Sequence, residues 1–179
     1  MTFFPAFVRY LCGMAETLAS APGASRTEGY VELSNRWEAL LRGEPNRTAN
    51  LANAAAVLKE EFGWHWVGFY LVDEERDELV LGPFQGPLAC TRLHHGKGVC
   101  AAAWDTGVAQ VVPDVHSFEG HVACSALTES ELVIPIVVAD KVVGVLDIDS
   151  TIREDVSADD VKGLAPLVKL LSDNWNAWE

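Results

Sequence analysis

The apolar positions of this chain follow a helical spacing from about residue 30 to residue 62. Two stretches carry the pattern, 30–41 and 48–62, and the turn-forming residues 43–46 separate them. Asn46 and Thr48 are both placed to cap the second helix, since either side chain can accept a bond from a free backbone N–H. The pattern therefore predicts two consecutive helices.

Beyond Gly63 the chain becomes aromatic and rich in β-branched residues. Residues 64–72 and 78–81 predict a β-hairpin around the polar turn 73–77, and a further strand is expected near 88–93. This change of pattern marks the start of a sheet.

The middle of the chain combines short elements with loops. An Ala-rich stretch predicts a short helix over 98–106, and an apolar stretch predicts a short strand over 109–112. Residues 114–128 are polar and small, and they predict a long loop. Long loops inside compact domains often carry function.

The last third of the chain predicts two apolar strands, 132–138 and 141–148, joined by a turn at Ala139-Asp140. Ser157 caps a final helix whose first turn is acidic, which suits the positive end of the helix dipole. This order of elements is typical of an α+β domain with helices packed on an antiparallel sheet. We expect a single domain over 1–179, including an N-terminal segment over about 1–28.

Composition and charge exclude several classes of function. With 179 residues, 49% hydrophobic and 22% charged, the chain is expected to fold as a globular protein. A formal net charge of −13 argues against nucleic acid or an anionic membrane as a partner. No apolar run reaches the roughly 18 residues of a membrane span. The apolar start lacks a basic region and is interrupted by Arg9 and Glu16, so we expect a packed arm and a cytoplasmic protein.

Four cysteines are spread along the chain at Cys12, Cys90, Cys100 and Cys124. In the cytosol they are expected to be reduced at rest, so structural disulfides are the weaker interpretation. There is no C-x-x-C pair and no compact spacing with histidines, so we expect no metal site and no cofactor. Redox chemistry and simple packing remain.

Cys124 lies in the predicted loop 114–128, where a thiol is more exposed and can form the thiolate that attacks. Taken alone, such a cysteine is more often a small packed hydrophobe. Cys90 and Cys100 flank a basic loop, and its positive field is expected to favour the thiolate. The basic residues of this loop are Arg92, His94, His95 and Lys97.

Asp147 and Asp149 end the last predicted strand, and residues two apart in a strand point to the same face. Two such acids can hold an ammonium group. Their crowding also raises the pKa of one carboxyl, so that it can donate a proton near neutral pH. A solvated strand end, or a capping role for Asp149, explains the pattern equally well.

Glu131 opens the partner strand, and the register of the hairpin decides whether it joins the two acids. With a two-residue turn, Glu131 opposes Ile148 and lies on the opposite face from the acids. A one-residue slip brings it to their face. Pro135 within the strand favours a bulge or an edge position. We therefore predict an irregularity in this hairpin if the three acids form one site.

Trp66 and Tyr70 lie four residues apart in the first predicted strand and share a face, with Gly68 between them. Two aromatic rings around a small residue can wall a pocket. An ordinary aromatic core explains the pattern at least as well.

Six motifs together resemble the free methionine-R-sulfoxide reductases, enzymes built on a GAF domain. The motifs are GPFQG at 82–86, ACTR at 89–92, GKGVC at 96–100, DVH at 114–116, GHVAC at 120–124 and GVLDIDS at 144–150. The resemblance runs from about residue 48 to the C-terminus. It implies a six-stranded antiparallel sheet with helices on both faces, a closed pocket and, in many members, a homodimer.

The resemblance also implies site residues. Three redox cysteines match at Cys90, Cys100 and Cys124, and substrate-pocket positions match at Trp66, Tyr70, Glu131, Asp147 and Asp149. The family usually has Asp after the third cysteine and Gly after the second, where this chain has Ser125 and Ala101. Ser125 changes the electrostatics beside the thiol. Cys12 matches no motif and is interpreted as packing.

We therefore expect an enzyme that reduces free L-methionine-R-sulfoxide. In this hypothesis the acids hold the ammonium group and protonate the sulfoxide oxygen, and the Cys124 thiolate attacks the sulfur and becomes a sulfenic acid. Cys90 condenses with it to a disulfide, which Cys100 can take over, and a thioredoxin-type dithiol restores the thiols. The sequence leaves open which of Cys90 and Cys100 resolves.

Two other classes remain open. A GAF-type module could bind a small ligand without chemistry, although this leaves the three cysteines unexplained. A redox sensor would form a disulfide without a substrate. Release of methionine from the free sulfoxide separates the enzyme from both.

Overall fold

The computed structural model describes residues 25–122 and 124–179. Residues 1–24 of the expected N-terminal segment, including Cys12, lie outside the described residues. Within the described part, the helices are α1 (Arg26–Ser34), α2 (Trp37–Leu41), α3 (Arg47–Phe62), α4 (Val99–Thr106) and α5 (Ala158–Asn174). No helix among the described residues is long and apolar enough to cross a membrane.

The described residues form one six-stranded sheet. Its strands are β1 (Trp66–Asp73), β2 (Glu78–Gln85), β3 (Arg92–Leu93), β4 (Gln110–Val112), β5 (Ser130–Val138) and β6 (Lys141–Ser150). Their order is β3-β2-β1-β6-β5-β4, and every neighbouring pair is antiparallel. Helices α3 and α5 pack on one face, while α4 covers the β4–β6 half of the other. The predicted α+β fold with helices on both faces is confirmed.

Local signals set most helix ends where the sequence predicts them. Asn46 caps α3 by accepting from Ala49 N at 2.9 Å. Ser157 begins α5 with a capping box that it shares with Asp160. The single helix predicted over 30–41 is wrong, because the structure has two helices there, α1 and α2. The first of them begins earlier than predicted, because Ser25 and Glu28 form a second capping box.

The strand predicted near 88–93 is wrong in length, since only Arg92–Leu93 pairs in the sheet. Two carbonyls of the preceding segment bond to side chains of β1 instead of to a neighbouring strand. The Pro87 carbonyl accepts from Trp66 Nε1 at 3.1 Å, and the Cys90 carbonyl accepts from the Tyr70 hydroxyl at 2.9 Å. The segment therefore remains a loop that is tied to β1.

The β5–β6 hairpin contains the irregularity that the sequence predicts. Its first pairs follow the two-residue turn, and the register then shifts by one residue between Ile136 and Val137, which leaves Val143 as the extra residue of β6. Such a bulge moves all later side chains of a strand to the other face relative to its partner. As a result, Glu131 lies opposite Asp149.

Candidate functional site

A small cavity, with a volume of about 20 Å³, lies on the α4 face of the sheet. Its lining comes from strands β1, β5 and β6, from the start of α4, and from residues 121, 122, 124 and 128. Six of the eight predicted site residues line it, namely Tyr70, Cys100, Cys124, Glu131, Asp147 and Asp149. The fold thus brings together residues that lie up to 79 positions apart in the sequence.

The three acids meet because of strand register. Asp149 on the central strand β6 lies between Glu131 on β5 and Trp66 on β1, and Asp147 lies opposite Gly68 of β1. Glu131 and Asp147 are each only 6% exposed. The sheet therefore presents three carboxyl groups on one face, close to one another and largely out of water.

Burial and mutual repulsion both disfavour ionisation of these acids. Desolvation, followed by the neighbouring carboxylates, raises the pKa of Asp147 well above its usual range, and the same two causes act on Glu131. Burial raises the pKa of Asp149 to about 6, although the Thr128 hydroxyl and His121 beside it favour the charged form. The cluster can therefore hold protons near neutral pH, as the sequence hypothesis requires.

Trp66 and Cys90 do not line the cavity but support it. The Trp66 ring stacks on Tyr70 and Phe84, with ring centroids 6.0 and 5.3 Å away. It also fills the space above Gly68, where a Cβ would lie 2.5 Å from the indole. The gap between the two predicted aromatics is thus occupied by Trp66 itself, while Tyr70 faces the cavity.

Two of the three thiols contact each other. Cys90 and Cys124 are half-buried, and burial followed by a thiol–thiol hydrogen bond raises the pKa of Cys124 to about 12. Cys100 is buried at the start of α4, where burial and then the Asp147 carboxyl raise the pKa of its thiol. All three are free thiols in the structure.

The expectation that the basic loop favours the thiolate is wrong. Three of its basic residues lie beside acids: Arg92 and His94 contact the buried Glu78, and His95 contacts Asp77 and Asp105. These pairs neutralise the positive field on the outside of the loop. Lys97 is the basic residue of the loop that reaches the cavity wall.

Sequence reasoning missed two residues that tie the Cys124 segment to the acids. His121 Nε2 lies 3.1 Å from Glu131 Oε2, and Thr128 lies beside Asp149. Cys124 stands between these two attachment points in the chain. The signal for His121 was its place in the GHVAC motif, but nothing in that motif indicates its partner.

The two departures from the family pattern have local environments of their own. Ser125 Oγ lies 3.3 Å from His65 Nε2 and accepts from Leu127 N at 3.2 Å, so it stabilises the turn after Cys124. Ala101 is fully buried in α4. Its methyl group is packed inside the helix layer without interrupting the helix.

The cluster also contains atoms of the kinds that bind metal ions. One donor atom each from Cys100, Glu131 and Asp147 lies within 4.8 Å of the others, and all three residues are buried. A thiolate with carboxylates is a donor set suited to Zn²⁺. The sequence did not indicate this grouping, because the residues come from α4, β5 and β6.

Comparisons with known proteins agree with this architecture. The GAF domain family model matches residues 36–175. GAF domain-containing protein A of Dictyostelium discoideum is 50% identical over 160 residues, covering 89% of this chain and 100% of that protein. The free methionine-R-sulfoxide reductase of Escherichia coli strain K12 is 45% identical over 148 residues, covering 82% and 88%.

A solved structure gives the same result in three dimensions. The free methionine-R-sulfoxide reductase from Neisseria meningitidis, solved in complex with its substrate, superposes with a TM-score of 0.85 at 46% sequence identity. The match covers 89% of this chain and 95% of that one. Fold, motifs and relatives point the same way, and the chain belongs to the GAF-domain family of free methionine-R-sulfoxide reductases.

Proposed function

We propose that this protein reduces free L-methionine-R-sulfoxide to methionine, with Cys124 as the nucleophile. The observation that carries the proposal is the Cys90–Cys124 thiol pair at a cavity whose lining holds three buried acids. Relatives 40–45% identical are named free methionine-R-sulfoxide reductases, which supports the choice of substrate.

The acids supply binding and protonation. Glu131, Asp147 and Asp149 together attract the substrate ammonium group, and one of them, in its protonated form, donates to the sulfoxide oxygen. Protonation makes the sulfoxide sulfur electrophilic. A peptide-bonded methionine has no free ammonium group and loses this contact, so the site is expected to select the free amino acid.

Substrate binding also prepares the nucleophile. Of the three acids, Asp147 is among the groups that raise the pKa of Cys124, after burial and the Cys90 contact. An ammonium group placed among them offsets their negative charge, which makes the thiolate easier to form. The thiol proton passes to a carboxylate of the cluster.

The Cys124 thiolate then attacks the substrate sulfur. The protonated oxygen then transfers to the Cys124 sulfur while the S–O bond of the substrate and the transient S–S bond break. The substrate sulfur gains two electrons and leaves as methionine, and Cys124 becomes a sulfenic acid. Cys90 attacks this sulfenic sulfur, which forms the Cys90–Cys124 disulfide and releases water. The contact between the two thiols favours Cys90 as the resolving residue, and Cys100 then relays the disulfide or remains as an auxiliary thiol.

An external dithiol of the thioredoxin type completes the cycle by exchange with this disulfide. The sum of the steps converts one sulfoxide and one dithiol into methionine, water and one disulfide. The proposed reaction uses no metal and no cofactor.

The test is an assay for methionine released from free methionine-R-sulfoxide in the presence of a dithiol. The wild type should turn over, and Cys124→Ser should abolish turnover because a hydroxyl replaces the thiol that attacks the substrate sulfur. Cys12→Ser is the matched control, since Cys12 matches no family motif. Full turnover by the Cys124 variant would refute the assignment, and no turnover by the wild type would favour a redox sensor or a ligand-binding module.

A further inference from the structure

The Cys100 thiol and two carboxyl groups form a compact set of donors inside the protein. The donor atoms of Cys100, Glu131 and Asp147 lie within 4.8 Å of one another, and none of the three residues is exposed. Tetrahedral Zn²⁺ with bonds of about 2.0–2.3 Å holds its ligand atoms about 3.3–3.8 Å apart. Side-chain adjustments of about 1 Å or less would bring this set to that geometry.

A second observation points to a cation at the same place. The Asp147 carboxyl accepts hydrogen bonds from the Cys100 thiol and the Ile148 backbone N–H, but its Oδ1 atom is buried and has no hydrogen-bond partner among residues 25–122 and 124–179. A buried carboxylate oxygen without a partner is costly unless a proton or a cation satisfies it. The ring of His121 contacts Glu131, but it does not reach this oxygen with a hydrogen bond.

We propose that the reduced protein binds one zinc-class ion, Zn²⁺ or its probe Co²⁺, through Cys100, Glu131 and Asp147, and that this ion excludes the substrate. The thiolate ligand selects these ions over Mg²⁺ and Ca²⁺, which prefer oxygen donors alone. Asp149 or a water molecule completes the coordination. Metal binding stands on the geometry alone, whereas the inhibition rests on the proposed function.

Binding involves no oxidation. The ion displaces the thiol proton of Cys100 and any protons on the carboxyl groups, and it forms one metal–sulfur and two metal–oxygen bonds. A disulfide at Cys100 removes the sulfur ligand, whereas a Cys90–Cys124 disulfide leaves it in place. The site therefore exists only while Cys100 is reduced, and zinc would hold the enzyme in an inactive, thiol-protected form.

The first experiment titrates the reduced protein with Co²⁺ and records its absorption spectrum. Wild type should show a thiolate-to-cobalt charge-transfer band that Zn²⁺ removes by competition. Cys100→Ser should lose the band and bind Zn²⁺ at least about tenfold more weakly. Cys90→Ser and Cys124→Ser are the matched controls and should keep the band, because their thiols lie outside the donor set.

A band that survives in Cys100→Ser, or disappears in either control, would place the metal on the Cys90–Cys124 pair and overturn the proposal. No band in the wild type would overturn it as well. If Cys100→Ser fails to fold, as judged by circular dichroism, Glu131→Gln serves instead. This variant should keep the sulfur-to-metal band while its affinity for Zn²⁺ falls at least about tenfold.

The second experiment measures wild-type turnover at increasing Zn²⁺ concentration. Competitive inhibition is expected, with a higher apparent KM for the sulfoxide and an unchanged kcat. If Zn²⁺ saturates the Co²⁺-detected site without changing turnover, the inhibition is wrong although the site stands. If the wild type has no turnover, the proposed function fails while the spectroscopic result still decides the metal site.

Discussion

The two faces of the central sheet are built from the same strands but have opposite chemistry. On β6, Leu146 and Ile148 are fully buried in the apolar layer beneath the helices, while Asp147 and Asp149 alternate with them and face the cavity. The face packed against α3 and α5 buries Leu146 and Ile148, together with Ser150, whose hydroxyl donates a hydrogen bond to Asp155. The other face buries carboxyl groups and a thiol.

This difference separates the source of stability from the source of reactivity. Apolar burial on the face packed against α3 and α5 contributes about 25 cal/mol per Å² to the stability of the fold. On the cavity face, burial raises the pKa of Asp147, of Glu131 and of the thiols, which means that their charged forms are destabilised where they stand. Acids and thiols held in this way bind cations and exchange protons readily. Their burial lowers the stability of the fold, and apolar burial on the other face offsets this loss.

The largest effect is expected from Asp147→Asn, which keeps the shape of the side chain but removes its charge and its proton. If Asp147 acts as general acid or ammonium ligand, kcat/KM for the free sulfoxide should fall by about 10²–10⁴. Thermal stability should not fall, since the charge was already unfavourable there. Steady-state kinetics and a thermal melt test both parts.

Asp140→Asn on the exposed turn of the same hairpin is the control and should leave both quantities unchanged. Its positive φ of 63° is one that Asn also tolerates. If Asp147→Asn kept activity within about threefold of wild type, the acid would have no role in the chemistry.

The next effect is expected on the other face, from Ile148→Ala. Ile148 is fully buried, so this change should lower the free energy of unfolding by about 2–5 kcal/mol. The KM for the sulfoxide should stay unchanged at temperatures where the variant is folded. Urea unfolding measures the change in the free energy of unfolding.

Ile152→Ala is the control. Ile152 is 63% exposed, so this change should lower the free energy of unfolding much less than Ile148→Ala does. A large change in KM for Ile148→Ala would show that the two faces are not independent.

A pH effect of intermediate size should arise from Asp149. Burial raises the pKa of Asp149 from 3.8 to about 6 in the folded state, so the folded protein binds this proton more tightly than the unfolded chain does. The contribution is fully present below pH 3.8 and is lost as the pH rises through about 6. Relative to Asp149→Asn, wild-type stability should therefore fall by up to about 3 kcal/mol across this window.

Urea unfolding of wild type and Asp149→Asn at several pH values measures this contribution together with the change that the loss of Asp149 makes to the pKa of Glu131 and Asp147. Titrating groups away from the cluster cancel in the difference. A difference that stays constant between pH 4 and pH 6 would mean that Asp149 ionises normally in the folded protein.

The smallest effect on stability is expected from Ser157→Ala, which removes the N-terminal cap of α5. The Ser157 side chain and Asp160 satisfy free backbone N–H groups at the start of this helix. Loss of the cap should cost about 1 kcal/mol of stability without changing kcat or KM. Ser157→Thr, which keeps a capping hydroxyl, should lose less. Equal losses in the two variants would argue against the cap as the cause.

Much of the fold could be predicted from the sequence, because the signals involved are local. The 3.6-residue and 2-residue periods of apolar positions predict α3, β1, β5 and β6, and Asn46 and Ser157 mark helix starts. The placement of Asp147 and Asp149 on one face follows from the same two-residue period. These features depend on neighbours within a few residues, so the chain carries them by itself.

Tertiary structure alone decided how the site is assembled. The bulge at Val143 turns Glu131 toward Asp149, and the sequence could only state that such a bulge was needed. Packing against Asp147 buries the Cys100 thiol, and ion pairs with Glu78 and Asp105 remove the positive field that the basic loop suggested. Charge, burial and register depend on contacts between distant segments, and no local pattern records those contacts.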